Sequence, residues 1–312
     1  MTTSPPQPRA LPDGVYVPTL AFFKADDELD LEVTQRHAIH LAESGVAGIV
    51  VHGSNGEAVH LSREERSLII QSTRSALDES DHHLMPLIAG CGAQSTRETI
   101  QLCRDASNAG ANFVIVLPPG YYGGLLNTAK IVQHFNDVAD ASLIPVLVYN
   151  YPGAVSGLDL SSDTILEIAK HPNVAGVKLT CGNTGKLARI VDSAQPDFFV
   201  AGGSADFILQ GLVVGGNGTI AGTANLIPRA CVRICELFQA GKLKEARRLQ
   251  AVVAKADWIA IQTGFVGVKA ALQLFQGYGG APRKPCCISD DSEVEMIRKG
   301  FAEVMAVEQS LT

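Results

Sequence analysis

Lys178, Tyr149 and the pair Ser54-Asn55 are the residues of this chain whose types and places could do chemistry. Lys178 follows the apolar run Val174-Ala175-Gly176-Val177, whose small and β-branched residues read as a buried parallel strand. A lysine at such a strand end either reaches out to water or is held in a pocket at the strand's mouth. In a pocket, poor solvation disfavours the ammonium and frees an amine that can attack a carbonyl and form a Schiff base. Taken alone, the position also fits a surface lysine. Tyr149 ends a second run, Val146-Leu147-Val148, where its hydroxyl can carry a proton. It fits equally well a tyrosine closing a packed layer. Ser54 and Asn55 follow Val50-Val51-His52 in the turn Gly53-Ser54-Asn55-Gly56-Glu57. The backbone N–H groups of a glycine-bounded turn can hold a carboxylate, although an ordinary turn between strand and helix has the same composition.

These residues come together only if their strands lie side by side and point the same way. The chain repeats a short apolar run, a loop, an amphipathic segment and a glycine. Candidate strands are 15–20, 48–52, 84–89, 113–117, 145–149, 174–179, 198–201 and 218–221. Ser62 with Glu65 and Ser95 with Glu98 have capping-box spacing, and Gly45 and Gly110 are helix stops just before a strand. Strands alternating with helices imply right-handed βαβ units and a parallel sheet. Eight of them imply an α/β fold of the closed (β/α)8 TIM-barrel kind, in which strand ends carry the catalytic groups. After about residue 227 the strand signal stops. Segments 229–240, 243–260, 265–275 and 292–308 read as helices, with a glycine- and proline-rich connector at 277–285 and Asp290 with Glu293 as a cap. The expected organisation is a disordered tail at 1–13, a barrel core at 14–228, and the last barrel helix with a C-terminal helical appendage at 229–312.

Composition narrows the function. With 312 residues, 46% hydrophobic and 18% charged, the chain can build a large core. Its net charge of −7, without a basic block, argues against nucleic acid or an anionic membrane surface as partner. Seven cysteines at irregular spacing suggest free thiols rather than a zinc ribbon or a disulfide framework. Residues 2–12 are proline-rich and polar with one arginine, and no apolar run approaches the ~20 residues of a membrane span, so a soluble cytoplasmic protein is expected. His37 and His40 share a helix face and His82-His83 sit in a loop; neither pair has a carboxylate at ligand spacing, and solvated histidines are expected. His52 lies at or near the mouth, as a substrate contact or a packed side chain. The Gly216–Ala221 segment fits a dinucleotide-binding glycine pattern but lies inside the presumed eighth strand.

In order along the chain, Gly-Ser-Asn-Gly-Glu at 53–57, Tyr-Asn-Tyr-Pro at 149–152 and Gly-Val-Lys at 176–178 resemble the pyruvate-dependent class I aldolases of the dihydrodipicolinate synthase and N-acetylneuraminate lyase family. The resemblance runs from about Gly14 to the final helix. It is strongest to the eukaryotic branch with 4-hydroxy-2-oxoglutarate aldolase and the fungal 2-keto-3-deoxy sugar-acid (L-threo-3-deoxy-hexulosonate) aldolases. It implies that Lys178 forms the Schiff base with C2 of a 2-oxo acid, that Tyr149 shuttles protons, and that Ser54 relays to Tyr149 and, with Asn55, holds the substrate carboxylate. Gly203, Ser204, Ile220 and Thr180 match substrate-lining positions, and Glu57 a residue that braces its loop. Tyr121, or its neighbour Tyr122, matches a tyrosine reaching a neighbouring subunit's site. No metal or organic cofactor is implied; the partners are pyruvate and an aldehyde, in a homotetramer built as a dimer of dimers.

One departure bears on substrate. Dihydrodipicolinate synthases carry an arginine shortly after the Tyr-Asn motif, whereas loop 153–157 here reads Gly-Ala-Val-Ser-Gly. A distal pocket with Ser156 and Thr180 as neutral partners suits the polyhydroxy aldehyde half of a 2-keto-3-deoxy sugar acid. It admits the glyoxylate half of 4-hydroxy-2-oxoglutarate if main-chain N–H groups bind that carboxylate, as the related oxoglutarate aldolase implies, and it suits aspartate semialdehyde poorly. Two readings of other classes remain beside the aldolase: a metal-dependent barrel enzyme using histidines, and a silent barrel acting as a binding module.

Overall fold

The computed structural model describes residues 10–288 and 290–311; most of the expected tail therefore lies outside the described residues. Eight parallel strands close into one barrel in sequence order. They are β1 (Gly14–Pro18), β2 (Gly48–Val51), β3 (Leu87–Gly90), β4 (Phe113–Val116), β5 (Val146–Asn150), β6 (Val174–Leu179), β7 (Phe199–Gly202) and β8 (Gly218–Ile220). Helices α1 (Leu31–Glu43), α2 (Arg63–Glu79), α3 (Thr96–Ala109), α4 (Thr128–Ala141), α5 (Ser162–Ile168), α6 (Thr184–Ser193), α7 (Ile208–Val213) and α8 (Pro228–Gln239) follow the strands in turn. Beyond them lie α9 (Leu243–Gln276) and α10 (Asp291–Ser310).

The strands are short because each is buried on both faces. Outward residues such as Val148, Val177 and Leu179 pack under the helices, while Leu147, Tyr149, Phe199 and Ile220 fill the barrel's interior. The capping box at Ser62 and Glu65 is complete in both directions, and Ser95 accepts from the Glu98 N–H. Gly110 ends α3 at φ 106°, a conformation that favours glycine.

Two expectations need correction. The third strand starts at Leu87 rather than at residue 84: Met85 N–H donates to the His82 carbonyl in a turn, and Leu84 is exposed. The two helices expected at 243–260 and 265–275 are present as the two segments of α9, separated at Gly264, whose φ of 63° and ψ of −159° leave helical space. By length and composition α9 could also cross a bilayer. Here it packs on α8 and α10 and buries two charged side chains, Asp257 and Lys269, against barrel loops. Its apolar character was hidden in sequence by those charges.

His37 is the second correction. It is fully buried, with Nδ1 2.9 Å from the Tyr278 hydroxyl and Nε2 3.0 Å from Asn225 Oδ1. Asn225 in turn donates to the carbonyls of Pro18 and Gly222. The histidine therefore ties α1 to the loop after β8 and to the connector after α9.

Burial pushes the His37 pKa from 6.5 down to about 4, against the opposing pull of Asn225. A neutral histidine in the fold and a titrating one in the unfolded chain make stability complete above pH 6.5 and lost as pH falls through 4. A displacement of that size is worth about 3 kcal/mol. Urea unfolding should show the wild type losing up to that much more stability than His37→Gln between pH 7 and pH 4. Equal losses would remove His37 from the acid response.

Candidate active site

The barrel brings Lys178 and Tyr149 into direct contact. β5 and β6 pair so that Tyr149 stands opposite Lys178. Lys178 Nζ donates to the Tyr149 hydroxyl at 3.1 Å and lies 4.2 Å from the ring centroid. Both side chains are buried, at 3% and 4% exposure, so neither is a surface residue. Burial alone would push the Tyr149 phenol up. The charge of Lys178 and hydrogen bonding with Lys178, Ser54 and Thr180 outweigh it and hold the phenol below its ordinary value. A phenol in that state gives up its proton more readily than a free tyrosine, so the phenolate that must act as a base is easier to reach.

Ser54 and Asn55 occupy the turn after β2. Gly56 N–H donates to Gly53 O at 3.0 Å, and Glu57 closes the turn in the left-handed region at φ 50°. The Asn55 carboxamide packs on Gly222, where an added Cβ would come within 2.8 Å of it. Across the mouth, Gly203 sits tight against Thr180: a Cβ there would lie 2.0 Å from Thr180 Oγ1. That hydroxyl is buried, with no hydrogen-bond partner of good geometry. Ile220 lines the barrel interior with Tyr149.

Ser204 is placed differently from its expectation. Its hydroxyl donates to Asp257 Oδ2, which also accepts from Asp206 N–H at 3.0 Å, while Asp257 Oδ1 accepts from Thr223. Asp257 is buried, and burial raises its pKa despite those donors. Ser204 therefore fixes the loops after β7 and β8 to α9 and offers substrate no free hydroxyl. Ser156 also falls away from the site: it is exposed at φ 55°, while Ala154 and Val155 of the same loop line the cavity. Tyr121 and Tyr122 are exposed at 75% and 62%, stack edge to face, and do not line their own chain's cavity.

A cavity of about 360 Å³ opens beside Tyr149 and Ser54. Apolar side chains such as Val59, Leu117, Val155 and Phe265 form much of its wall. His52 is buried on the β2 side with φ 57°, and its pKa falls to about 3 through burial and the nearby Arg66, so it is neutral. Arg66 also lines the cavity, but it donates to the carbonyls of Gly90 and Ala58. Gln94 Oε1 accepts from Gly120 and Tyr121 N–H and so anchors the tyrosine loop. Behind Tyr149, Asn150 donates to Asp159 and accepts from Leu160 N–H, and Asp159 pairs with buried Lys186. Among the described residues no group of three His, Cys, Asp or Glu side chains is placed to hold a metal ion.

The model of the Dihydrodipicolinate synthetase family matches residues 11–301. The chain belongs to that family. It is 58% identical over 303 residues to a protein of Emericella nidulans described as a probable mitochondrial 4-hydroxy-2-oxoglutarate aldolase, covering 97% of this chain and 98% of that one. It is 44% identical to the L-threo-3-deoxy-hexylosonate aldolase of Hypocrea jecorina, covering 97% and 99%. A crystal structure of a dihydrodipicolinate synthase family protein from Coccidioides immitis superimposes with a TM-score of 0.88 at 38% identity, over 98% and 99% of the two chains. The expected family, the closed barrel and an aldolase activity agree with these findings. The expected cytoplasmic location does not. A relative matching nearly end to end is named mitochondrial, and the composition of residues 2–12 was too slight a basis for the opposite reading.

Asp257 and Lys269 were missed as site-bracing residues. The only sequence signal was a charge set in an otherwise apolar helix, which reads equally well as solvated.

Tyr149→Phe keeps the ring and its packing and removes the proton carrier. Turnover should fall ~10²–10⁴-fold, the range of a positioned acid–base group, with the fold intact by circular dichroism. Near-normal turnover would reduce Tyr149 to a packing residue.

Proposed function

We propose that the protein is a class I aldolase that cleaves or forms a 4-hydroxy-2-oxo acid from pyruvate and an aldehyde. The observation that carries this reading is the buried Lys178–Tyr149 contact at the mouth of a parallel barrel. Lys178 Nζ attacks C2 of the 2-oxo acid, and water leaves to give the iminium. Tyr149 takes the proton from the C4 hydroxyl while the C3–C4 electrons flow into the iminium. The aldehyde departs and an enamine remains. Protonation at C3 and hydrolysis then release pyruvate and restore the amine. In this reading Ser54 relays the proton to bulk water, and the Ser54-Asn55 turn holds the C1 carboxylate.

The substrate half beyond C4 is a 2-keto-3-deoxy sugar acid or 4-hydroxy-2-oxoglutarate, the two kinds of activity named for the relatives above. Loop 153–157 supplies no cation and Arg66 is engaged with carbonyls, so a second carboxylate finds no free guanidinium. This favours the sugar acid, and the second carboxylate of 4-hydroxy-2-oxoglutarate requires main-chain N–H groups instead. Dihydrodipicolinate synthesis from aspartate semialdehyde is the weaker alternative. We carry the mitochondrial location of the Emericella protein to this chain, and take the working enzyme as a dimer of dimers in which Tyr121 reaches the neighbouring site. Residues 14–228 then form the barrel, and 229–312 its last helix and the appendage that braces it.

Incubation with pyruvate and borohydride should add one reduced pyruvyl group per chain, mapped to Lys178. No adduct, or one on Lys269, would sink the Schiff-base assignment. EDTA should leave activity unchanged, and loss restored by zinc would favour a metal-dependent enzyme.

The second test compares kcat/KM for 2-keto-3-deoxy sugar acids, for 4-hydroxy-2-oxoglutarate, and for aspartate semialdehyde with pyruvate. Preference for either of the first two supports the proposal. Preference for the third means that another residue replaces the absent arginine.

A further inference from the structure

We propose that Lys269, on the appended helix α9, is a positioning residue for the turn that carries Ser54 and Asn55, acting through Glu57; the link to substrate rests on the aldolase reading above. Lys269 lies 212 positions from Glu57 in sequence, yet its Nζ donates to Glu57 Oε1 at 2.9 Å, and both side chains are wholly excluded from solvent. Nζ also donates to the Ala281 carbonyl at 2.9 Å. The second carboxylate oxygen of Glu57 accepts from Arg283 N–H at 3.0 Å and lies 3.0 Å from His60 Nδ1. One carboxylate thus joins the turn after β2, helix α9 and the connector beyond it.

Glu57 is the residue that closes the turn, in a left-handed conformation at φ 50°. A glutamate gains nothing intrinsic from that conformation, so the bonds to its side chain must hold it. The turn has little slack elsewhere: a Cβ on Gly56 would meet Thr19 O at 2.9 Å and His52 N at 3.0 Å. Ser54 and Asn55 lie three and two residues ahead of Glu57. A shift of Glu57 is therefore transmitted to the N–H groups that would hold the substrate carboxylate. Removing the ammonium leaves a buried carboxylate uncompensated, and it must either move or take up a proton. Lys269 donates to Glu57 and the Ala281 carbonyl and reaches the reacting pair only indirectly, through Ser54, so the loss should fall mainly on binding and less on the chemical step.

Lys269→Met is the variant to make. It should raise KM for the 2-oxo acid ~10²-fold, the usual consequence of a misplaced binding group. The value of kcat should fall less than KM rises, by no more than about tenfold, through the shifted Ser54. Hydrogen-exchange mass spectrometry on the ligand-free protein should show faster exchange at residues 54–57 and unchanged exchange in β5 and β6. If KM and turn exchange stay at wild-type values while only Tm falls, or if kcat falls with KM unchanged, the proposal is overturned. Should Lys269→Met not fold, Glu57→Gln keeps the shape, removes the charge, and must move the same two readouts in the same directions. If wild-type protein forms no pyruvate adduct, the aldolase reading fails by that result, and the exchange measurement still decides whether Lys269 orders the turn.

Discussion

An irregularity in the pairing of β5 with β6 sets the geometry on which the site depends. Val146 pairs with Val174, but Leu147 pairs with Gly176, so β6 carries one extra residue at Ala175. Beyond that point the register is displaced by one, and Tyr149 faces Lys178 rather than Val177. The side-chain alternation resets with it: Val177 and Leu179 pack outward under the helices, leaving Lys178 to point inward beside Tyr149. A one-residue slip in a strand moves every side chain to the opposite face. Bulges near active sites commonly re-aim a side chain in this way. Without the bulge the lysine would sit among helix-facing apolar side chains, where an amine has neither substrate nor proton carrier.

Placing the pair does not by itself make a site, because the loops around it must hold their positions. The barrel supplies only strand ends, and α9 supplies the rest. Its Asp257 accepts from Ser204 and Thr223 and so joins the loops after β7 and β8. Its Lys269 joins Glu57 beside the turn after β2. The two residues lie on either side of the break at Gly264, which lets the two segments of α9 address separate loops of the mouth, those after β7 and β8 and that after β2. Burial weighs on both charges: it raises the Asp257 pKa, and it lowers that of Lys269 against the pull of Glu57. Breaking a buried pair by removing one partner typically costs about 3–5 kcal/mol, a large part of a domain's net stability. Such groups persist where they fix a geometry that apolar packing would leave loose.

The fold was legible because its signals are local and repeated. Short β-branched runs, capping residues such as Ser62, and glycine stops such as Gly110 each follow from backbone sterics and recur around the barrel. The strand-end positions of Lys178, Tyr149 and Ser54 followed from that repeat. What stayed hidden depends on contacts across long stretches of chain. Gly176 in the middle of a strand is a weak bulge signal, and nothing local says that Ala175 is the residue skipped. His37 sits on an amphipathic helix among polar neighbours, and its burial is decided by Asn225 and Tyr278, far away in sequence. The serine at 204 has the right neighbours for a substrate contact, yet a carboxylate 53 positions later takes its hydroxyl. Sequence gives the type of a polar residue; its partner comes from the closed fold.

Substrate choice follows from which polar groups remain uncommitted once the framework is satisfied. Arg66 lies on the cavity wall, but two carbonyls hold its guanidinium. Glu57 and His60 are committed to each other and to the C-terminal segment. Gln94 has its oxygen engaged by the tyrosine loop. Among the described residues, His52 Nε2 on the cavity wall has no partner of good geometry, and Thr180 Oγ1 has only a loose contact with the Tyr149 hydroxyl. Both are neutral, the histidine because burial and Arg66 suppress its proton. A neutral donor or acceptor pairs well with a hydroxyl and poorly offsets the desolvation of a second carboxylate. Gly203 brings its backbone against Thr180 with no room for a side chain, so this hydroxyl is held in place just past the end of β6. The framework thus leaves neutral hydrogen-bonding capacity where the aldehyde half must sit, and selection between polyhydroxy and dicarboxylate substrates turns on those few atoms rather than on the net charge of the protein.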